Sequence, residues 1–383
     1  MDLSADFGPF DGRAWLNCAH QGPLPRVAVE AAGKALADKT APHRLADELF
    51  TEVPARLKDA IGRLVGVPAE QVVLGNSTSY GLQLLVHGYP WKEDDEVLLV
   101  DGDFPATVVP WLPLEGRGVR VRLLEPDSLL DPELLDAELG PATRLLCTSW
   151  VFSFTGRMLD LDALGRVCRE RGVAFVVNGA QGVGAAPIDL GATPVDALVS
   201  CGFKWLCGPY GTGFCWLRPE LLERLVDPPA YWLAHQTQDD LRRGIGYSLR
   251  DDLGAAAYDV FGTPNFLTFM PWTAALEYML GVGIERVAAW DQALVDRLIA
   301  GLGDDWRLVS PGHAAERSTL VVISHREPER NAGLFERLTS AGVDVAMRNG
   351  NLRVSPHLYN TEADIDRALD VLTSAQPRRS RRA

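Results

Sequence analysis

The run Val173-Ala174-Phe175-Val176-Val177 contains no polar residue. A strand with one face in water alternates apolar and polar side chains, so a strand apolar at every position must be covered on both faces. Glu96-Val97-Leu98-Leu99-Val100, Ala197-Leu198-Val199-Ser200 and Gly213-Phe214-Cys215-Trp216-Leu217 read the same way, as do Gln71-Val72-Val73-Leu74 and much of Arg144–Val151. Between them lie stretches with helical periodicity: Leu57–Val65, Tyr80–His87 and Leu161–Arg171. Buried strands alternating with helices define an α/β chain built on a mostly parallel sheet. Such a sheet places its ligand beyond the carboxyl ends of its strands, so the polar residues just after each strand carry the functional question.

Beyond Pro271 the pattern changes. A long helix from Trp272 leads to Leu320–Ile323, a helix over Asn331–Ala341, the segment Asn351–Ser355 and a final helix opened by Thr361 as cap with Asp364 in a capping-box position. This predicts a smaller α+β unit. The expected division is an N-terminal segment (1–30) packing near the site, a large domain (31–270), a small C-terminal domain (271–375) and a disordered basic tail (376–383). At 383 residues the chain can bury a large core.

The net charge of −14 disfavours nucleic acid or an anionic membrane as partner. Six cysteines show neither a CxxC pair nor a Cys/His metal spacing, and read as reduced thiols rather than a disulfide framework. No apolar stretch approaches the roughly 20 residues of a membrane helix, and the first residues lack the basic-then-apolar order of a signal peptide. The expectation is a cytoplasmic protein without a metal.

The segment Ser200-Cys201-Gly202-Phe203-Lys204-Trp205-Leu206-Cys207-Gly208-Pro209-Tyr210-Gly211-Thr212-Gly213 sets a lysine just after an apolar strand, among aromatics and before a glycine-rich turn. Desolvation lowers a lysine's pKa and makes it a nucleophile toward an aldehyde. By position alone, a lysine snorkelling beside a turn is the commoner reading. Other strand ends add weight. Gly75-Asn76-Ser77-Thr78-Ser79 opens a helix with hydroxyls and free N–H groups that suit a dianion. Asp103-Phe104-Pro105 offers an aromatic face, and Asn178-Gly179-Ala180-Gln181 offers two amides.

In these motifs the sequence resembles the class V aminotransferase group of fold-type-I pyridoxal-phosphate enzymes, which includes cysteine desulfurases, kynureninases and isopenicillin-epimerase-like proteins. The resemblance runs from Trp15-Leu16-Asn17 to Leu372 and is most specific in the Lys-Trp-Leu-x-Gly-Pro-x-Gly-x-Gly run. It implies that Lys204 forms the Schiff base and moves the proton at the substrate Cα. Thr78 and Ser79 would meet the phosphate and Phe104 would stack on the ring. Gln181 would reach the ring hydroxyl. Cys201 stands where many relatives have a phosphate-binding serine, with Ser200 next door as a substitute. Thr263, in Gly262-Thr263-Pro264-Asn265, would reach the phosphate of a neighbouring subunit, implying a homodimer with shared sites. Arg353 would clamp the substrate carboxylate, with Asn17 and His20 nearby. Tyr210, Tyr231, Trp232, Tyr247 and Tyr258 lie in segments that could line the site, and His20 and His235 could act as acid or base.

Two departures from the family stand out. Asn178 occupies the place of an aspartate that pairs with the pyridine nitrogen, which implies a weaker electron sink. Residues 319–350 contain no cysteine and Phe203 replaces a histidine, which argues against the persulfide relay of the desulfurases. A weaker sink suits β-elimination, so the expected activity is that of a C–S lyase-like enzyme in specialised metabolism. An aminotransferase, a decarboxylating oxidative deaminase and a catalytically silent cofactor-binding protein stay open as alternatives.

Overall fold

The computed structural model describes residues 1–374 except 245–246 and 261. The basic tail expected at 376–383 therefore lies outside the described residues. In chain order the strands are β1 (Ala14–Trp15), β2 (Val72–Gly75), β3 (Glu96–Val100), β4 (Arg120–Leu124), β5 (Thr143–Ser149), β6 (Ala174–Asn178) and β7 (Ala197–Cys201). They continue with β8 (Gly213–Leu217), β9 (Trp306–Leu308), β10 (Val321–His325), β11 (Val343–Asp344), β12 (Ala346–Arg348) and β13 (Asn351–Val354). The longer helices are α1 (Arg26–Thr40), α2 (Leu49–Val65), α3 (Thr78–Gly88), α4 (Leu161–Glu170), α5 (Phe266–Val282), α6 (Ile284–Gly301), α7 (Asn331–Ser340) and α8 (Glu362–Thr373).

Seven strands form the main sheet in the order β2-β8-β7-β6-β5-β3-β4. The pairs from β7 to β4 are parallel, whereas β8 runs antiparallel to both β7 and β2. Every residue of β3, β6, β7 and β8 is buried, as apolar strands covered on both faces require. Strand parity divides the two cores. Val177, Leu198, Phe214 and Trp216 face a cluster with α2, α4 and α5, while Val176, Val199, Cys215 and Leu217 face one with α3. The edge strand β4 escaped the sequence reading because its Arg-Val-Arg-Leu-Leu pattern is only partly buried.

A second, antiparallel sheet has the order β12-β13-β10-β9 and packs against α6, α7 and α8. The capping box at Thr361 is formed, with the Thr361 hydroxyl accepting from Asp364 N–H and the Asp364 carboxylate accepting from Thr361 N–H. The change of pattern expected at Pro271 does not coincide with a change of packing. Phe269, Trp272, Leu276 and Met279 on α5 belong to the main-sheet core, and the next helix, α6, carries Leu294 and Leu298 into the core of the second sheet. Trp272, Leu276 and Met279 thus tie this part of α5 to the large sheet.

The N-terminal segment is stitched to the C-terminal part of the chain. Strand β1 pairs in parallel with β11, Ala14 opposite Val343, and Asn17 bridges to Ser355. It then passes beside the main sheet, where Gly22 N–H bonds the carbonyl of Phe203 at 2.9 Å. A Cβ at Gly22 would lie 2.1 Å from the Lys204 carbonyl oxygen, so only glycine permits this approach.

Candidate active site

The carboxyl ends of β2, β3, β5, β6 and β7 meet at one edge of the main sheet, and the start of the reversed strand β8 joins them. Gly213, at that start, touches the Ser77 backbone closely enough that a Cβ would come within 2.7 Å of it. This contact seats the N-terminus of α3 against the glycine-rich turn.

Lys204 follows β7 in this edge and is half-buried. Its Nζ stands 5.5 Å from the centre of the Phe104 ring and 5.8 Å from that of Phe203. Burial holds its pKa below the usual lysine range; the fields of Arg353 and Arg348 act in the same direction, while Cys201 and Cys18 oppose them. An amine so placed carries a larger neutral fraction than a surface lysine, as a nucleophile requires.

Arg353 lies on β13 and is only 2% exposed. One of its guanidinium N–H groups reaches the Ser153 carbonyl at 3.5 Å, while Nε has no partner. Burial, reinforced by Arg348, pushes its pKa down to about 10. Register puts Arg348 on the same face, since Ala346 pairs with Arg353 and Arg348 with Asn351. A buried guanidinium without a carboxylate is costly and is relieved by an anion entering the site.

At the N-terminus of α3, Ser77 spends its hydroxyl as the helix cap, accepting from Tyr80 N–H at 3.2 Å. Thr78 is buried and Ser79 exposed. Thr78 lies beside Cys201, and burial raises the pKa of the Cys201 thiol. Ser200 is different: alternation along β7 turns it to the α5 side with Leu198, away from Thr78, and its buried hydroxyl has no partner. Its expected role as substitute for Cys201 does not fit that orientation.

The amides at the end of β6 are both tied down. Asn178 Oδ1 accepts from Ala180 N–H at 3.0 Å, and Nδ2 donates to Thr107 Oγ1 at 2.8 Å. Gln181 Nε2 donates to the Ala19 carbonyl at 3.0 Å, and Oε1 accepts from the Trp205 indole at 2.8 Å. One N–H of Gln181 is left for a ligand. Asn17 is buried with Oδ1 unpartnered, and His20 lies exposed at the rim. Burial lowers the His20 pKa, and Arg348, Arg353 and Lys204 lower it further. Thr263 is exposed.

Of the expected aromatic lining, Tyr210 stacks on Phe203 with ring centres 5.5 Å apart. Tyr258 is instead buried in the α3-side core, and Tyr247 is fully exposed. His235 accepts from Arg250 N–H through Nδ1 at 3.1 Å.

The sequence reading missed a buried pair beneath the lysine. His357 Nδ1 meets Asp291 Oδ2 at 2.7 Å, and Nε2 meets the Trp205 carbonyl at 2.9 Å. Both ring nitrogens face acceptors, so the imidazole is held doubly protonated and pins the backbone next to Lys204. Burial alone would lower the His357 pKa, yet Asp291 carries it up to about 10. With the folded value above the unfolded 6.5, the stabilisation is full below pH 6.5 and fades as the pH rises toward 10. The melting temperatures of the native chain and His357→Gln should therefore converge across that window; a constant gap would contradict the assignment. The residues are 66 apart in sequence, and only the local His-x-x-Asn turn could have hinted at them.

The architecture, a seven-stranded mixed sheet with a smaller antiparallel one, is that of fold-type-I enzymes. The cystine C–S lyase C-DES, solved with its product cysteine persulfide, superimposes with a TM-score of 0.87 at 22% identity, over 97% of this chain and 100% of that one. The chain belongs to the class V aminotransferase family, whose model matches residues 23–368. Among curated relatives, isopenicillin N epimerase of Streptomyces clavuligerus is 29% identical, covering 94% of each chain. A probable cysteine desulfurase of Methanothermobacter thermautotrophicus is 25% identical, covering 95% of each.

Proposed function

We propose that this chain is a pyridoxal-phosphate enzyme that eliminates a sulfur-bonded group from Cβ of a cysteine-derived amino acid. The observation that carries the reading is the convergence of a half-buried amine and an aromatic face at the edge of the main sheet with a buried guanidinium from β13 whose Nε has no partner and whose charge reaches Lys204. The residues fit the cofactor. Phe104 would cover the ring, the N-terminus of α3 with Thr78 and Ser79 would take the phosphate, and Asn178 and Gln181 would meet the ring's polar atoms. When bound, the cofactor supplies an aldehyde to Lys204 and a ring that accepts electrons from the substrate Cα.

The chain's own residues do the rest. Arg353 fixes the substrate carboxylate, setting which Cα bond stands toward Lys204. Lys204 takes the Cα proton. The Cβ–S bond then breaks with its electron pair leaving on sulfur, and the released dehydroamino acid hydrolyses to pyruvate and ammonia. All six cysteines are buried, so none stands exposed to accept sulfur as a persulfide. That favours elimination over desulfurisation. Thr263 would serve a neighbouring subunit in a homodimer, for which its exposure leaves it free.

The test is incubation with S-substituted cysteines, following pyruvate, ammonia and the thiol. Equal yields of pyruvate and ammonia are the expected result. Pyridoxamine phosphate would indicate an aminotransferase instead, and an enantiomer of the substrate would indicate an epimerase like the Streptomyces relative.

A further inference from the structure

Asn178 is neutral where the family resemblance leads one to expect a carboxylate, but it is not isolated from negative charge. Its Nδ2 donates to Thr107 Oγ1 at 2.8 Å, Thr107 Oγ1 lies 3.1 Å from Ser149 Oγ, and Ser149 Oγ donates to Asp103 Oδ1 at 2.7 Å. All four residues are buried, Thr107 completely. They come from separate places: Asp103 from the turn after β3, Thr107 from the short helix Pro105–Val108 that follows it, Ser149 from the end of β5 and Asn178 from the end of β6.

Chemistry fixes the direction of this chain. Asp103 Oδ1 also accepts from Phe104 N–H at 2.6 Å, and Oδ2 accepts from Ser149 N–H at 2.8 Å. Backbone N–H groups cannot accept, so a proton on Asp103 would have only the Ser149 hydroxyl to bond. That arrangement would make Thr107 accept from both Ser149 and Asn178 and leave its own proton without a partner in a dry site, which costs free energy. With Asp103 ionised, every donor instead points toward the carboxylate and every group is satisfied.

The same order prevents the Asn178 amide from flipping. A flip would set its NH2 against Ala180 N–H and its oxygen against Thr107, whose proton is already given to Ser149. The locked amide keeps one N–H and one oxygen lone pair for a ligand. Donation into a chain that ends on a carboxylate makes that oxygen a stronger acceptor, and linked bonds of this kind reinforce one another in a low dielectric.

We propose that Asp103 is a positioning residue that acts through Ser149 and Thr107 to orient and polarise Asn178, so that the negative charge missing from position 178 is held three hydrogen bonds away. The proposal rests on the pyridoxal-phosphate reading above. It means that the ring nitrogen retains part of the proton affinity that a direct carboxylate would give it.

The test uses holoenzyme loaded with cofactor isotopically labelled at the ring nitrogen, whose resonance reports protonation independently of turnover. Spectra of the native chain are compared with those of Asp103→Asn, Thr107→Val and Asn178→Asp at one near-neutral pH. Asp103→Asn and Thr107→Val should move the resonance in the same direction, toward unprotonated pyridine, by an amount matching roughly a tenfold loss of proton affinity. Asn178→Asp should move it the opposite way. Both relay variants are near-isosteric, and far-ultraviolet dichroism checks their folding; if one fails to fold, the other and Ser149→Ala still give the reading. A resonance unchanged in folded, loaded relay variants overturns the proposal and leaves the cofactor reading intact. Native chain that retains no labelled cofactor overturns both.

Discussion

Lys204→Ala should lose pyruvate formation by more than about 10³-fold while the chain stays folded. Proton transfer by a placed side chain contributes on the order of 10²–10⁴ on its own, and on the function proposed above the same amine would also be the point of covalent attachment. The fold should tolerate the change because the amine is held against desolvation and against two arginines, so its removal relieves a cost. Two measurements check this. Steady-state pyruvate release should fall to background in the variant. Borohydride treatment of the native holoenzyme should fix the cofactor to the peptide carrying Lys204 and to no other peptide. Turnover in the variant comparable to the native rate would remove Lys204 from the chemistry.

Arg353→Gln separates stability from function in opposite directions. Loss of a bidentate clamp on a carboxylate costs about 2–5 kcal/mol, which corresponds to a KM increase of roughly 30-fold or more if the contact is made equally in ground and transition states. In the unliganded protein the sign reverses. The guanidinium is buried, one nitrogen has no partner, and no acid pairs with it among the described residues. Exchanging it for a neutral amide should leave the ligand-free protein as stable as before or more stable by about 1–3 kcal/mol. Substrate titrations and ligand-free melting curves read the two effects separately. A variant both weaker in substrate binding and strongly destabilised would point to a structural role instead.

The sheet was legible because burial on both faces leaves a clear trace, strands apolar over most of their length. The segments read as β3 and β8 have the bounds Glu96–Val100 and Gly213–Leu217 in the structure. Helix α1 was invisible because over its whole length, Arg26–Thr40, it buries only Ala28 and Ala35, too little for an apolar stripe. Among site residues, those at strand ends could be named individually. What could not be read was which atoms were already spent. Gln181 looks free in sequence but bonds Ala19 and Trp205 across 162 and 24 residues, and Ser200 and Cys201 look interchangeable until the strand turns them to opposite faces. The Asp103–Ser149–Thr107–Asn178 connection is a property of the fold alone, because its bonded members are ordinary residues lying up to 71 positions apart.

Strand β1 closes against β11, 329 residues further along the chain, and Asn17 against Ser355. During synthesis residues 14–17 must wait for residues 343–355 to emerge. The segment that carries Ala19, which holds Gln181, and Gly22, which seats beside Lys204, can therefore settle only after the C-terminal sheet exists. Long-range closure of this kind slows folding and prolongs the exposure of unpaired strands. Until that closure the edge that carries Lys204 lacks the cover of Gly22, and Gln181 lacks the Ala19 carbonyl that holds it.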